Sequence, residues 1–311
     1  MRKKDKIFIA GHRGLAGSAI MRALTNRGYH NLVVRSHSDL DLENQAVVER
    51  FFAVEKPSYA ILAAAKVGGI KYNMAYPADF IRSNLYITMN ILEAARRHGI
   101  QRLIFFGSSC MYPRVCAQPM KESMLNTGEQ EPTSLPYSTA KLAGTIMCGA
   151  CNRQYGTQFL PVIPATLYGP GDSFDPDHSH VLPALLRRIH EARLAGSPSV
   201  TIWGSGSPRR EFLYIEDLAK AVIFLLEKDG YTEVTNIGAG SDISISELAK
   251  IICGITGYKG KLKFDSSKPD GAHQKLLNTS KMDSLGWKAA TSLKQGIELT
   301  YKWFLEEQKG I

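Results

Sequence analysis

A short apolar run, Ile7-Phe8-Ile9-Ala10, passes directly into Gly11-His12-Arg13-Gly14-Leu15-Ala16-Gly17. A periodic apolar segment from Ser18 to Arg27 follows and is closed by Gly28. Strand, glycine turn and helix in that order constrain the fold more than anything else in the chain. Glycine at Gly11, Gly14 and Gly17 permits a sharp turn and a close approach of backbone to a pyrophosphate, which sits at a helix N-terminus. The spacing is G-x-x-G-x-x-G, and its flanking strand and helix make it a dinucleotide-binding fingerprint.

The alternation continues downstream. Leu32-Val33-Val34 reads as a second strand, Asp39-Leu40-Asp41 followed by Glu43 to Val54 as a capped helix, and Tyr59 to Ala65 as a buried strand. Lys66-Val67-Gly68-Gly69-Ile70 then leaves that strand at the end where open α/β sheets place ligands. Asp79 to His98 is a long amphipathic helix, 102–106 a strand, Pro136 the approximate start of another helix, and Gln158 to Ile163 a further strand. This pattern predicts an α/β fold with a doubly wound parallel sheet of the Rossmann type.

After Pro164 the character changes. Tyr168-Gly169-Pro170-Gly171-Asp172 and Asp175-Pro176-Asp177-His178 are loop chemistry. Val181 to Leu194 is a predicted helix, Val200 to Trp203 a strand running into Gly204-Ser205-Gly206, and Ile215 to Lys228 a helix. Ile243 to Gly257, Lys261 to Phe264 and Leu293 to Lys309 mix helices with a short strand.

Cofactor preference is read at the end of the second strand. A site that prefers NAD carries an Asp or Glu there for the ribose 2′-hydroxyl. This chain has Arg35-Ser36-His37, with Arg13 in the glycine loop. Two guanidiniums suit a 2′-phosphate, so NADP(H) is the expected cofactor. The expected organisation is an NADP-binding domain over 1–165 plus about 213–240. A smaller, discontinuous α/β substrate domain would come from about 166–212 and 241–311.

The bulk numbers exclude several classes. With 311 residues, 44% hydrophobic and 22% charged, the chain can bury a sizeable core. No apolar run approaches the roughly 20 residues that span a bilayer, so no membrane partner is expected. The apolar start is too short for a signal peptide, which makes the cytoplasm the expected location. A net charge of +9 points to anionic partners, but the basic residues are scattered and no nucleic-acid motif appears. Five cysteines (Cys110, Cys116, Cys148, Cys151 and Cys253) form an odd set without a disulfide spacing. Cys148 and Cys151 read as small helix residues rather than a redox or metal pair, and no metal is expected.

The stretch from Gly107 to Lys141 carries the chemistry. It opens on the strand end Phe106-Gly107-Ser108-Ser109-Cys110 and closes on Tyr137-Ser138-Thr139-Ala140-Lys141. Tyr137 and Lys141 are four apart, which stacks them on one helical face. A hydroxyl, a phenol and an ammonium form a proton-delivering set if the fold brings them together.

On these motifs the chain resembles the extended short-chain dehydrogenase/reductase superfamily. Further segments resemble its GDP-L-fucose synthase family: Gly11-His12-Arg13-Gly14, Ala63-Ala64-Ala65-Lys66-Val67-Gly68-Gly69-Ile70, Gly107-Ser108-Ser109-Cys110-Met111-Tyr112-Pro113 and Ser179-His180-Val181-Leu182-Pro183-Ala184. Trp203-Gly204-Ser205-Gly206, Arg210-Glu211-Phe212-Leu213 and Lys268-Pro269-Asp270-Gly271 extend the likeness over nearly the whole chain. The resemblance implies a bifunctional enzyme that epimerises GDP-4-keto-6-deoxy-D-mannose at C3 and C5 and reduces C4 with NADPH, giving GDP-L-fucose. By position, Ser108, Tyr137 and Lys141 would be the reductase set, Cys110 the epimerase base and His180 its acid. Tyr137 would protonate the C4 oxygen, with Lys141 lowering its pKa and holding the nicotinamide ribose. Ser108 would polarise the carbonyl.

The resemblance further implies cofactor contacts at Gly11, Arg13, Gly14, Gly17, Arg35, His37, Lys141, Pro164, Leu167 and His180. It implies substrate contacts at Arg188, Trp203, Arg210, Asp270 and Lys275, and a homodimer paired through the helices Asp79 to His98 and Pro136 to Tyr155. Two positions depart from the family pattern. His37 stands where an arginine is common, and Thr166 where asparagine is usual. An enzyme of the same pattern acting on another GDP-4-keto sugar is the nearest alternative, and a non-catalytic NADP-binding redox sensor is a more distant one.

Overall fold

The structure is a computed structural model that describes residues 1–175, 179–268 and 270–309, with the side chains of 70, 71, 308 and 309 left aside. The loop reading at 176–178 and Pro269 lie outside the described residues. In chain order the first elements are β1 (Ile7–Ala10), α1 (Leu15–Asn26), β2 (Leu32–Val33), α2 (Gln45–Glu55), β3 (Tyr59–Leu62), α3 (Ile70–Ala75) and α4 (Pro77–Arg97). Next come β4 (Arg102–Phe106), α5 (Leu135–Tyr155), β5 (Phe159–Pro164), β6 (Thr166–Tyr168), α6 (Val181–Leu194), β7 (Ser199–Trp203), β8 (Arg209–Tyr214) and α7 (Ile215–Leu226). The chain ends with β9 (Thr235–Ile237), β10 (Asp242–Ser244), α8 (Ile245–Thr256), β11 (Lys261–Asp265), β12 (Gln274–Lys275), α9 (Ser280–Ser284) and α10 (Leu293–Lys309).

Six parallel strands form the main sheet in the order β2-β1-β3-β4-β5-β9. Side chains alternate across it, as the two-residue strand period requires. Ile7, Ile9, Tyr59, Ile61, Ile104 and Phe106 face one core, which α1 and α7 close. Phe8, Ala10, Ala60, Leu62, Leu103 and Phe105 face the other, which α2, α4 and α5 close. This is a doubly wound sheet. Its order reverses between β1 and β3, where ligands of such sheets bind.

The late segments build a separate core of Tyr168, Leu186, Ile202, Phe212, Leu248 and Tyr301. There β8 pairs with β10, β12 and β6, and β11 pairs with β7.

Several boundaries differ from the sequence reading. The second helix begins after Asn44, whose side chain accepts from the Val47 N–H, rather than at Glu43. A side-chain oxygen aimed at that orphan donor sets the start more firmly than the acidic residues upstream. The third strand stops at Leu62, before three alanines that lack β-branching. Thr166–Tyr168, whose last residue opens the stretch read as loop, forms β6 by pairing with β8.

Candidate active site

The glycine turn is built as tightly as its spacing implies. A Cβ at Gly17 would lie 2.1 Å from the Gly11 carbonyl oxygen, and one at Gly11 2.6 Å from the Ala64 nitrogen. Gly11 also has φ of +87°, so it needs glycine both for conformation and for space. Gly14 is the N-cap of α1 and provides no side-chain cap, which leaves the first N–H groups of the helix for an anion. Exposed Asp39 is held below the usual carboxylate range first by hydrogen bonds from the Ser36 hydroxyl and N–H, with the nearby charges of Arg13 and Arg35 adding to the effect.

Their availability differs. Arg35 is ion-paired with Glu55 and donates to the Val34 carbonyl, and its guanidinium lies 5.7 Å from the Phe51 ring centroid. Among the described residues Arg13 has no ion-pair partner and is exposed, as is His37. These groups fit a dinucleotide with a phosphorylated ribose: an open helix end for the pyrophosphate, and Arg13 beside it for further negative charge. Pro164 ends β5, and Leu167 on β6 packs against the α1–α7 core.

The second centre grows from the end of β4. Gly107 leaves the strand, and Ser108 caps a short 3-10 turn, Ser109–Met111, by accepting from the Cys110 N–H at 3.2 Å. The turn is anchored behind by Tyr112, whose hydroxyl donates to buried Asn236 at 2.6 Å. Helix α5 runs close alongside because Gly144 has no side chain; a Cβ there would meet Phe105 at 2.5 Å and Thr88 at 2.7 Å. That approach lets Lys141, only 3% exposed, donate to the Phe106 carbonyl at 2.8 Å. One turn earlier, the Tyr137 phenol comes close enough to the Ser108 hydroxyl to be influenced by it, and its ring packs edge-on to Phe80.

The electrostatics are those of a desolvated site. Burial raises the Tyr137 pKa above the ordinary tyrosine value, proximity to Cys110 adds to the rise, and the Ser108 hydroxyl opposes it. Burial lowers the Lys141 ammonium to about 8. Desolvation therefore outweighs the depression that the Lys141 charge would impose on the phenol. The ammonium lies 6.0 Å from the Tyr137 ring centroid and spends a hydrogen bond on Phe106, while desolvation acts on both groups.

Cys110 meets residues from the late segments. Lys275 Nζ lies 3.9 Å from its sulfur. Arg210 feels the charges of both Cys110 and Asp270, which oppose the lowering that burial imposes on its guanidinium. Arg210 donates to the Arg209 and Ala272 carbonyls at 2.7 and 2.6 Å. Asp270 is held below the usual carboxylate range by hydrogen bonds from the Ser205 hydroxyl and N–H, at 2.6 and 2.9 Å. Gly204, with φ of +84°, makes room for it.

His180 is the N-cap of α6. More than a third of its surface is open to solvent, yet enough protein surrounds the ring to hold its pKa below the ordinary histidine value. Arg188 donates to the Thr201 carbonyl at 3.0 Å and lines a hollow of about 480 Å³ with Trp203, Glu191 and Val200. Trp203 is 55% exposed and carries Lys268 over its face at 5.8 Å, so it is not a core tryptophan.

Asn84 was not singled out by the sequence. It is 1% exposed, accepts from the Lys66 N–H and donates to the Lys66 and Phe80 carbonyls, which pins the loop after β3. Its only sequence signal is an amide on the apolar face of a helix. Cys148 and Cys151 are buried in α5, where Cys148 packs as an apolar residue with its thiol pKa pushed well up.

Comparison with known proteins bears on this arrangement. Residues 7–238 match the NAD dependent epimerase/dehydratase family. GDP-L-fucose synthase 1 of Arabidopsis thaliana is 51% identical over 304 residues, covering 98% of this chain and 94% of its own. The chain belongs to the GDP-L-fucose synthase family. The GDP-L-fucose synthase of Escherichia coli (strain K12) is 49% identical over 314 residues, 98% of each chain. Beyond that family, a solved GDP-mannoheptose C4 reductase from Campylobacter jejuni with NADP bound superposes with a TM-score of 0.90. It is 40% identical and covers 98% of this chain and 99% of its own. Among the described residues no helix is long and apolar enough to cross a membrane.

Proposed function

We propose that this chain converts GDP-4-keto-6-deoxy-D-mannose to GDP-L-fucose by inverting C3 and C5 and reducing C4 with NADPH. The observation that carries the reading is the meeting of Ser108, Tyr137 and Cys110 at the end of β4, where the hydroxyl and the thiol are both close enough to bias the phenol. The family relatives and an NADP-bound neighbour support the substrate class and the cofactor.

The C4 ketone acidifies the protons on C3 and C5. Cys110 as thiolate removes one, the electron pair moves onto the C4 oxygen as an enolate, and His180 returns a proton to the opposite face. Proton exchange with solvent returns Cys110 to thiolate and reprotonates His180, and repetition at the second carbon completes the inversion. NADPH, when bound, supplies the hydride that reaches C4. Tyr137 holds its proton firmly because its site is desolvated, so it is a phenol at neutral pH and can give that proton to the C4 oxygen. Ser108 hydrogen-bonds the same oxygen and polarises it. Lys141, buried beneath the phenol, holds the ribose next to the reacting carbon.

The cofactor residues are read as Gly11, Arg13, Gly14, Gly17, Arg35, His37, Lys141, Pro164, Leu167 and His180. Arg188, Trp203, Arg210, Asp270 and Lys275 are read as substrate contacts. Segments 1–165 and about 213–240 form the NADP-binding domain in this reading, and about 166–212 with 241–311 the substrate domain; the separate late core supports that division. A homodimer is supported by exposed Tyr86 and Met89 on α4 and Ile146 on α5, two helices that pack side by side. A cytoplasmic location is supported by five free cysteines.

Thr166, in place of the usual asparagine, favours one second reading: the same chemistry on a related GDP-4-keto sugar. The deciding experiment is turnover of GDP-4-keto-6-deoxymannose with NADPH in D2O, followed by determination of the product sugar. GDP-L-fucose with deuterium at C3 and C5 supports the proposal. A C4-reduced sugar without inversion or deuterium overturns it.

A further inference from the structure

Lys275 lies on β12, in parallel register with Arg210 of β8. Registered residues on neighbouring strands point to the same face, and two cations there repel unless an anion lies between them. Arg210 has Asp270 within its field and is committed to two carbonyls. Cys110 is the group both cations address: it is 3.9 Å from Lys275 Nζ and within the field of Arg210.

The backbone that presents Lys275 is fixed on both sides. The Leu276 N–H donates to Gln118 at 2.9 Å, and the Leu277 N–H donates to buried Glu211 at 2.8 Å. Met120 donates to the Leu276 carbonyl at 2.8 Å, and Asn278 donates back to Met120 at 2.9 Å. The ammonium is thus delivered to the sulfur by a laced segment rather than by a wandering surface side chain.

Every charged or titratable group shown to face the thiol is either neutral at pH 7 or cationic. Tyr137 reaches it from α5, Arg210 from β8 and Lys275 from β12. Asp270, whose charge acts on Arg210, is hydrogen-bonded by the Ser205 hydroxyl and N–H.

We propose that Lys275 is the positioning residue for the epimerase base, holding the Cys110 sulfur as a thiolate and aiming it at the sugar. A thiol gains little from an ammonium, whereas a thiolate gains a charge-assisted bond, so the contact selects the form that can take a proton. When Cys110 accepts the C3 or C5 proton it becomes a neutral thiol, and Lys275 remains an ammonium throughout. The inference rests on Cys110 being the base.

The test is alkylation of substrate-free, full-length protein by iodoacetamide as a function of pH. Trypsin cleavage after Arg102 and Arg114 isolates Cys110 on the peptide 103–114 and Cys116 on 115–121. This separation matters because Lys275 also influences Cys116. In K275M the Cys110 midpoint moves up by about one pH unit, as loss of a unit charge near 4 Å implies. K275R restores most of it, and Cys253 does not change. Deuterium entry at C3 and C5 slows about tenfold at pH 7 in K275M and recovers as pH is raised, since a one-unit shift is a factor of ten in thiolate.

An unshifted Cys110 midpoint in K275M, with only the KM for the GDP-sugar raised, would overturn the proposal and leave Lys275 as a substrate contact alone. A shifted midpoint alongside full deuterium entry in C110S would remove Cys110 as the base, and the positioning role with it, through a different observation.

Discussion

In the proposed reading, the reducing and epimerising halves of this site are built in opposite ways. Ser108, Tyr137 and Lys141 come from one continuous stretch, β4 to α5, and sit in a dry wedge between strand and helix. Cys110 starts from the same turn, but its electrostatic surroundings arrive from β8 and β12, 100 and 165 residues later. Local spacing and local packing set the first half. Register in a distant sheet sets the second. The reducing groups are therefore robust to changes in the late segments, and the thiol is not.

The largest expected separation of the halves is at Cys110. C110S removes the polarisable base, and deuterium exchange at C3 and C5 falls by about 10²–10⁴, the usual worth of a positioned base. Thermal stability is nearly unchanged, because serine fits the same half-buried position. Exchange read by mass spectrometry of recovered substrate checks this.

Lys141 gives the next effect and a sign that distinguishes the halves. Its pKa falls from 10.5 to about 8 in the fold, so the native state carries an unfavourable buried charge. That cost is fully present below pH 8, shrinks as pH rises from about 8 towards 10.5, and is gone above it. K141M should abolish reduction yet unfold about 1–3 kcal/mol less readily at pH 7, the gain vanishing by about pH 10.5. Denaturant titrations at the two pH values test it. No such gain is expected from K275M, whose ammonium is only half-buried.

His180 sharpens the same contrast. Its pKa lies below the ordinary 6.5 because of burial, so its acid form is lost as pH rises through a value below 6.5. Proton return by His180 should decline on that limb, while reduction by Tyr137, whose pKa is raised, continues to higher pH. Separate pH profiles for exchange and for NADPH oxidation of pre-epimerised substrate read this out.

A smaller effect is expected at the cofactor end. R13A should raise the KM for NADPH by about 10–100-fold, the value of a charged hydrogen bond to phosphate, and leave NADH little changed. R35A should cost less, because Arg35 is already engaged by Glu55.

The contrast also explains what the sequence could disclose. The glycine turn, the strand at 102–106 and the helix carrying Tyr137 and Lys141 were legible because each is a local pattern with a fixed period. Helix α6 and strand β11 were readable for the same reason. Strand β8 was not, since Arg209-Arg210-Glu211 looks like a solvated turn. It is a strand because Glu211, 2% exposed, is satisfied by the Leu277 and Gly240 N–H groups. The two-residue β12 carries no periodic signal of its own. The Lys275–Cys110 contact, which depends on both strands, was therefore invisible in one dimension, although Lys275 itself was singled out as a substrate contact.

The central claim is that two separable proton-transfer sets share one turn. Its most direct test is Y137F with GDP-4-keto-6-deoxymannose and NADPH in D2O. The account predicts deuterium at both C3 and C5 at near wild-type rate, with NADPH oxidation reduced by about 10²–10⁴. Loss of deuterium entry together with reduction would show a single interdependent set and contradict it.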